Sequence, residues 1–120
     1  GAQFKQMIHF MLRDEVWEGS HCEFYQFSAG MRVVYDRNTQ TFLDFSFRGL
    51  PVDENKIYTI GLQHFHYSSF EEFFSVPLEE VVKNGKPKII ATSTRTVLDE
   101  YLSVHQNLDR KVSGRLVILN

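Results

Sequence analysis

The sequence predicts an α+β fold, a mixed and mostly antiparallel sheet packed with several helices, and three observations carry that prediction. Apolar residues recur at helical spacing near the start of the chain, and two alternating runs joined by a polar turn follow. Strand-like and helix-like segments then mix without the regular strand–helix–strand alternation of a parallel α/β sheet. The 120 residues suit one ordinary domain, 1–120, large enough to bury a core and too small for two.

Residues 3–17 place Phe4, Met7, Ile8, Met11, Leu12 and Val16 on one face, with Lys5, Gln6, Arg13 and Asp14 between them, so one amphipathic helix is expected. Glu18, Gly19 and Ser20 end it. An extended run is expected from about residue 24 to 36, where Met31, Val33 and Tyr35 alternate with Arg32, Val34 and Asp36. The polar turn Arg37-Asn38-Thr39-Gln40 leads into residues 41–48, whose Leu43, Phe45 and Phe47 fall on one side of an alternating strand. Together the two runs read as an antiparallel hairpin closed by Gly49.

After the charged turn 51–56, the β-branched and aromatic content of residues 57–62 predicts a third, buried strand. Ser68 caps a short expected helix with Phe70, Phe73 and Phe74 on one face, and Pro77 opens another that stops before Gly85. Residues 87–90 read as a short strand. Ser93 or Thr94 offers an N-cap for a helix carrying Val97, Leu98, Tyr101 and Leu102, and residues 115–119 read as a closing strand.

Composition narrows the function classes. Apolar residues at 42% and charged residues at 23% are globular values, which disfavour a disordered or fibrous chain. Thirteen Lys and Arg face fifteen Asp and Glu, and the basic residues form no run, so binding to a nucleic-acid polymer is not expected. The single cysteine, Cys22, excludes an intrachain disulfide and a multi-thiolate zinc site, and leaves the compartment undecided. No run approaches the roughly 18 apolar residues of a membrane span, so no membrane insertion is expected. The opening residues lack an initiator Met and a signal-peptide pattern, and the chain reads as an excised or processed segment.

Nucleophilic and metal chemistry find little support. His64 and His66, two apart, would share a face on a strand, but no Asp or Cys nearby completes a metal ligand set. Ser28, Ser93 and Ser113 lack the glycine frame of a nucleophile elbow, and the glycines open no phosphate-binding loop. Glu71-Glu72 and Glu79-Glu80 are adjacent pairs, which diverge by about 100° on a helix and suit a solvated face. The eleven Phe residues are the unusual feature: they serve a core, or some are displayed for stacking against a planar ligand.

Two aromatic segments carry a resemblance. One is Glu23-Phe24-Tyr25-Gln26-Phe27-Ser28-Ala29-Gly30 running into Met31-Arg32-Val33-Val34-Tyr35-Asp36. The other follows Lys56 as Tyr58-Thr59-Ile60-Gly61-Leu62-Gln63-His64-Phe65-His66-Tyr67. With the preceding amphipathic helix, with Leu98-Asp99-Glu100-Tyr101-Leu102, and with the closing Ser113-Gly114-Arg115, their order resembles the later part of the C-terminal domain of the 5′-nucleotidase family. That family includes UDP-sugar hydrolases and 2′,3′-cyclic nucleotide phosphodiesterases.

The resemblance implies a substrate-recognition domain that clamps the nucleoside moiety of a nucleotide between two rings, Phe24 and Phe65, with Glu71 assisting. It implies a parent hydrolase whose N-terminal metallophosphoesterase domain holds the divalent metal ions and cleaves the phosphate ester, while this fragment holds no cofactor and is inactive alone. Partners implied are the nucleotide or nucleoside and that N-terminal domain; relatives often act outside the cytoplasm. Where the family has a glycine-rich loop after its second ring, this chain has Ser68-Ser69-Phe70-Glu71-Glu72-Phe73. The alternative is an interaction module with a Phe-rich interface, such as a homodimer, that binds no nucleotide.

Overall fold

A computed structural model of the chain describes residues 1–18 and 26–120, and its fold is α+β. The expected first helix is two. Helix α1 spans Ala2–Met11 and α2 spans Asp14–Glu18. The break at Leu12 and Arg13 has a hydrogen-bond cause: the Leu12 carbonyl accepts from Trp17 Nε1 (2.9 Å), and Arg13 Nη1 donates to the Phe10 carbonyl (2.8 Å). These side chains take over backbone acceptors that a continuous helix would use. Asp14 and Glu15 then sit in the first turn of α2, the end where negative charge is favoured.

Strand β1 (Met31–Asp36) pairs antiparallel with β2 (Thr41–Phe47), as the alternation predicted. The Asp36 carboxylate accepts from the backbone N–H groups of Asn38 and Thr39, at 2.9 and 3.3 Å, which folds the polar turn. A tight turn at Arg48-Gly49 leads to the two-residue strand β3 (Leu50–Pro51), and the closing strand β4 (Leu116–Leu119) lies parallel to β1. The described residues therefore make a mixed sheet in the order β3-β2-β1-β4, with two of its three pairings antiparallel.

One sheet face is dry. Val33 and Tyr35 are fully buried and cluster with Ile8 of α1 and with Leu12 just past its end, with Phe42, Phe45, Phe47, Leu116 and Ile118 around them. A second cluster lies against α1 where Met7 packs on Phe70, Phe74 and Val76. Helix α1 thus serves both clusters through adjacent residues, Met7 toward one and Ile8 toward the other. Its start is tied down by Gly1, whose amino group donates to the Lys56 carbonyl (2.7 Å), and by Ala2 N–H donating to the Glu54 carbonyl (3.0 Å).

Beyond β3 the chain forms α3 (His64–Ser68), α4 (Phe70–Phe74), α5 (Leu78–Val82) and α6 (Thr94–Val104). Ser93 caps α6 by accepting from Thr96 N–H (3.2 Å), the capping that the sequence predicts. Two expected strands are not formed. Residues 57–62 run without a ladder from β3 to α3, held through side chains: Tyr58 Oη accepts from Asp53 N–H (3.0 Å), and Ile60 packs on the Met7 cluster. Residues 87–90 are likewise unpaired and expose Ile89 and Ile90. β propensity reports a fit to a pleated, half-buried surface, and neither segment meets a strand edge here.

Candidate functional site

Of the three residues implied as substrate contacts, Phe65 and Glu71 are described, and Phe24 lies outside the described residues. Phe65 stands in the first turn of α3, entered through extended Gln63 (φ −69°, ψ 151°), so the segment is helical where the sequence considered His64 and His66 on a strand. The same change separates His64 from His66: on a helix, residues two apart point about 200° from one another. His64 Nε2 lies 3.3 Å from Ser68 Oγ one turn along, whereas His66 turns inward, edge-on to the Phe73 ring. Among the described residues no group of three or more His, Cys, Asp or Glu is placed to hold a metal ion.

The Phe65 ring is 64% exposed, unusual for a phenylalanine among these helices, since Phe70 and Phe74 on the next one are 3% exposed. Two neighbouring rings hold it in place. Phe73 meets it at 5.2 Å and 61°, and His66 at 5.6 Å and 70°, both in edge-to-face arrangement. Phe70 and Phe74 lie beneath with centroids 4.9 Å apart, anchored on Met7. The arrangement is tiered: a buried pair, a half-buried middle layer of His66 and Phe73, and one ring displayed to solvent. Packing against Phe73 and His66 fixes the Phe65 ring while most of its surface stays open to a further flat partner.

Glu71 is exposed in the first turn of α4, separated from α3 by Ser69 alone. Helix α4 ends at Ser75 in a left-handed conformation (φ 53°), where the Ser75 carbonyl accepts from Gln6 Nε2 (3.1 Å), so α1 locks the far end of the segment that carries Glu71. The reading from sequence missed His66 and Phe73 as neighbours of Phe65. The helix expected at Phe70, Phe73 and Phe74 is formed as α4, and the spacing of residues 65, 66, 70, 73 and 74 also suits a second short helix before it.

Two clefts lie elsewhere. One, about 460 Å³, sits between α1 and β2 beside Lys5, His9, Thr41 and Glu54. Its polar walls are satisfied by each other: Lys5 Nζ donates to Glu54 Oε1 (2.7 Å), and His9 Nε2 is 3.1 Å from the Gln40 carbonyl. That contact holds the Glu54 carboxyl below its ordinary range, first through the hydrogen bond and then through the lysine charge. The other cleft, about 470 Å³, is lined by Asp14, Glu18, Arg37, Asn38, Gln40 and Asn120. There Arg37 pairs with Asp14 (3.5 Å) and lies over the Trp17 ring (4.7 Å). Neither cleft includes Phe65 or Glu71.

The structure defines an α+β fold in which α3 displays a supported aromatic ring, Phe65. No protein-family model, curated protein or solved structure matches the chain. Among the described residues no helix is long and apolar enough to cross a membrane.

Proposed function

We propose that the chain is a nucleoside-recognition module of a 5′-nucleotidase-type phosphoesterase, in which Phe65 stacks on one face of the base. The observation that carries the proposal is the exposed Phe65 ring, held by Phe73 and His66. A base is flat and apolar on its faces, so stacking on a ring already fixed in place gains contact at little cost in side-chain freedom. Phe24 supplies the second ring in this reading, on the strength of the sequence resemblance alone. Glu71, exposed on the next helix, accepts hydrogen bonds from amino or hydroxyl groups of the nucleoside.

The hydrolytic step belongs to the parent's N-terminal domain, where divalent metal ions would activate the attacking water. The donors among the described residues do not assemble a metal site, so no metal-assisted step is assigned to this chain. Stacking is worth about 1–3 kcal/mol per base, and about 1.4 kcal/mol corresponds to tenfold in affinity. Titrating the chain with adenosine and with AMP, followed by NMR of the Phe65 ring and by calorimetry, tests the proposal. Shifts centred on Phe65, and binding weakened at least about fivefold in Phe65→Ala, are expected; unchanged binding in that variant defeats the assignment.

A second reading, an interaction module, is favoured by a different observation. Ile89 and Ile90 are 86% and 90% exposed, and the apolar side of α6 is also open. Under it, sedimentation changes with protein concentration or with added N-terminal domain, and AMP leaves the Phe65 signals where they were.

A further inference from the structure

We infer that the chain forms a two-fold dimer by exchanging extended segments: residues 87–92 of one copy pair antiparallel with residues 57–62 of the other, and the reverse. The interface lies outside the four-stranded sheet, and it goes beyond the nucleoside reading without resting on it.

Residues 57–62 are held in place without a neighbour. Tyr58 and Ile60 are half-buried while Ile57, Thr59 and Gly61 are exposed, the period of two of an extended chain with one face on the body of the protein. That inner face is fixed. Tyr58 Oη accepts from Asp53 N–H (3.0 Å), the Tyr58 ring lies 6.3 Å from that of Phe4, and Ile60 packs on the Met7 cluster. Yet no backbone N–H or C=O of residues 57–62 is hydrogen-bonded among the described residues. Unpaired main-chain groups on an anchored extended segment are a template for a second strand.

Residues 87–92 are the counterpart. All are exposed, Ile89 and Ile90 at 86% and 90%, and their backbone is equally unpaired between α5 and the Ser93 cap. β-branched side chains favour a pleated, half-buried surface, which a single copy does not give them. The chain thus carries one acceptor and one donor of equal length. Two copies use both and leave neither open, which closes the assembly with two-fold symmetry.

One register satisfies both faces. With Ile89 opposite Ile60, residues Pro87, Ile89 and Ala91 fall on the inner face beside Leu62, Ile60 and Tyr58, and the small Ala91 meets the bulky Tyr58. Lys88, Ile90 and Thr92 fall outward, opposite Gly61, Thr59 and Ile57. A Cβ at Gly61 would meet nothing within 4 Å, so the Lys88 side chain has room to cross it. Pro87, with no N–H to donate, stands at the first position of its strand, where proline is tolerated. A slip of one residue would turn Lys88 onto the inner face. Charge agrees with the antiparallel direction: Lys86 falls opposite Gln63, at the end that leads into α3 and α4. Lys86 and the exposed Glu72 of α4 make no ion pair among the described residues.

Sedimentation velocity and residue-resolved hydrogen exchange on the whole chain, over a series of protein concentrations, test the inference. Expected is a monomer–dimer equilibrium in which amides of residues 57–62 and 88–92 gain at least about tenfold protection as the dimer fraction rises. Ile89→Lys, which puts a charge on the inner face, should weaken dimerisation at least about tenfold, and Ile90→Lys should weaken it less. Both residues are exposed in the single chain, so neither variant disturbs its fold. A monomer at every concentration, Ile89→Lys dimerising as the unsubstituted chain does, or Ile90→Lys proving the more damaging would each overturn the inference. Protection independent of concentration would overturn it too, since the segments would then be paired within one copy.

Discussion

Phe42 and Phe45 bring their rings to 4.9 Å on the same side of β2, although strict alternation would send residues three apart to opposite faces. The reason is a register shift opposite Val34 and Tyr35: Asp44 pairs with Val34, but Phe42 pairs with Tyr35. The extra residue turns Leu43 outward, and it replaces Leu43 with Phe42 on the core side. Phe42 then sits 5.3 Å from Tyr35 and 5.9 Å from His9, closing the aromatic layer under α1.

Lysine substitutions separate the bulged register from a regular one. Leu43→Lys should change stability by no more than about 0.5 kcal/mol, and Phe42→Lys or Phe45→Lys should cost about 2 kcal/mol or more. Urea midpoints report the difference. A regular strand would penalise Leu43 and Phe45 alike and leave Phe42 tolerant.

The Arg48-Gly49 turn holds both residues at positive φ, 53° and 77°, between the paired Phe47 and Leu50, as a two-residue hairpin requires. A Cβ at Gly49 would meet nothing within 4 Å, so the cost of Gly49→Ala is conformational, about 1–2 kcal/mol. Arg48→Asn should be neutral to stabilising, because Asn accepts the left-handed region more readily. Thermal unfolding of the two variants tests the pair of signs.

Leu12 is 2% exposed where α1 ends on the sheet. Leu12→Ala should destabilise by about 2–5 kcal/mol through lost burial and a residual cavity. Denaturant titration should show the shift in midpoint with the slope retained.

Burial raises the Tyr35 hydroxyl pKa above its ordinary value, and the Asp14 charge adds to the effect. The folded state therefore keeps this proton after the unfolded chain has begun to lose it near pH 10. The contribution is complete below that pH and declines as pH rises toward the folded value. The stability difference between the protein and Tyr35→Phe should move in favour of the variant above about pH 10, measured by urea unfolding across that range.

At the acid end the sign reverses for Glu54, whose carboxyl is lowered by the Lys5 hydrogen bond and charge. Its contribution is present above the ordinary glutamate value of about 4.3 and is lost as pH falls through the lowered one. Lys5→Met should move the Glu54 titration, followed by carboxyl NMR, up toward that ordinary value.

The hairpin, the Ser93 cap and the helical character of residues 94–104 were legible because each follows from spacing or chemistry within a few residues. The exposure of Phe65 was not legible. Phe65, Phe70, Phe73 and Phe74 are the same residue type in one short stretch, and which of them is displayed depends on Met7, more than fifty positions earlier, having taken Phe70 and Phe74.

By itself the sequence determined the class of fold, the β1–β2 hairpin and the capped helix α6, since backbone preference, capping and hydrophobic period act between near neighbours. Only the tertiary structure decided which strand-like segments found an edge, leaving residues 57–62 and 87–90 without a ladder while residues 116–119 reached β1. A strand's hydrogen bonds must be completed by another part of the chain, and no local pattern says whether that part is within reach.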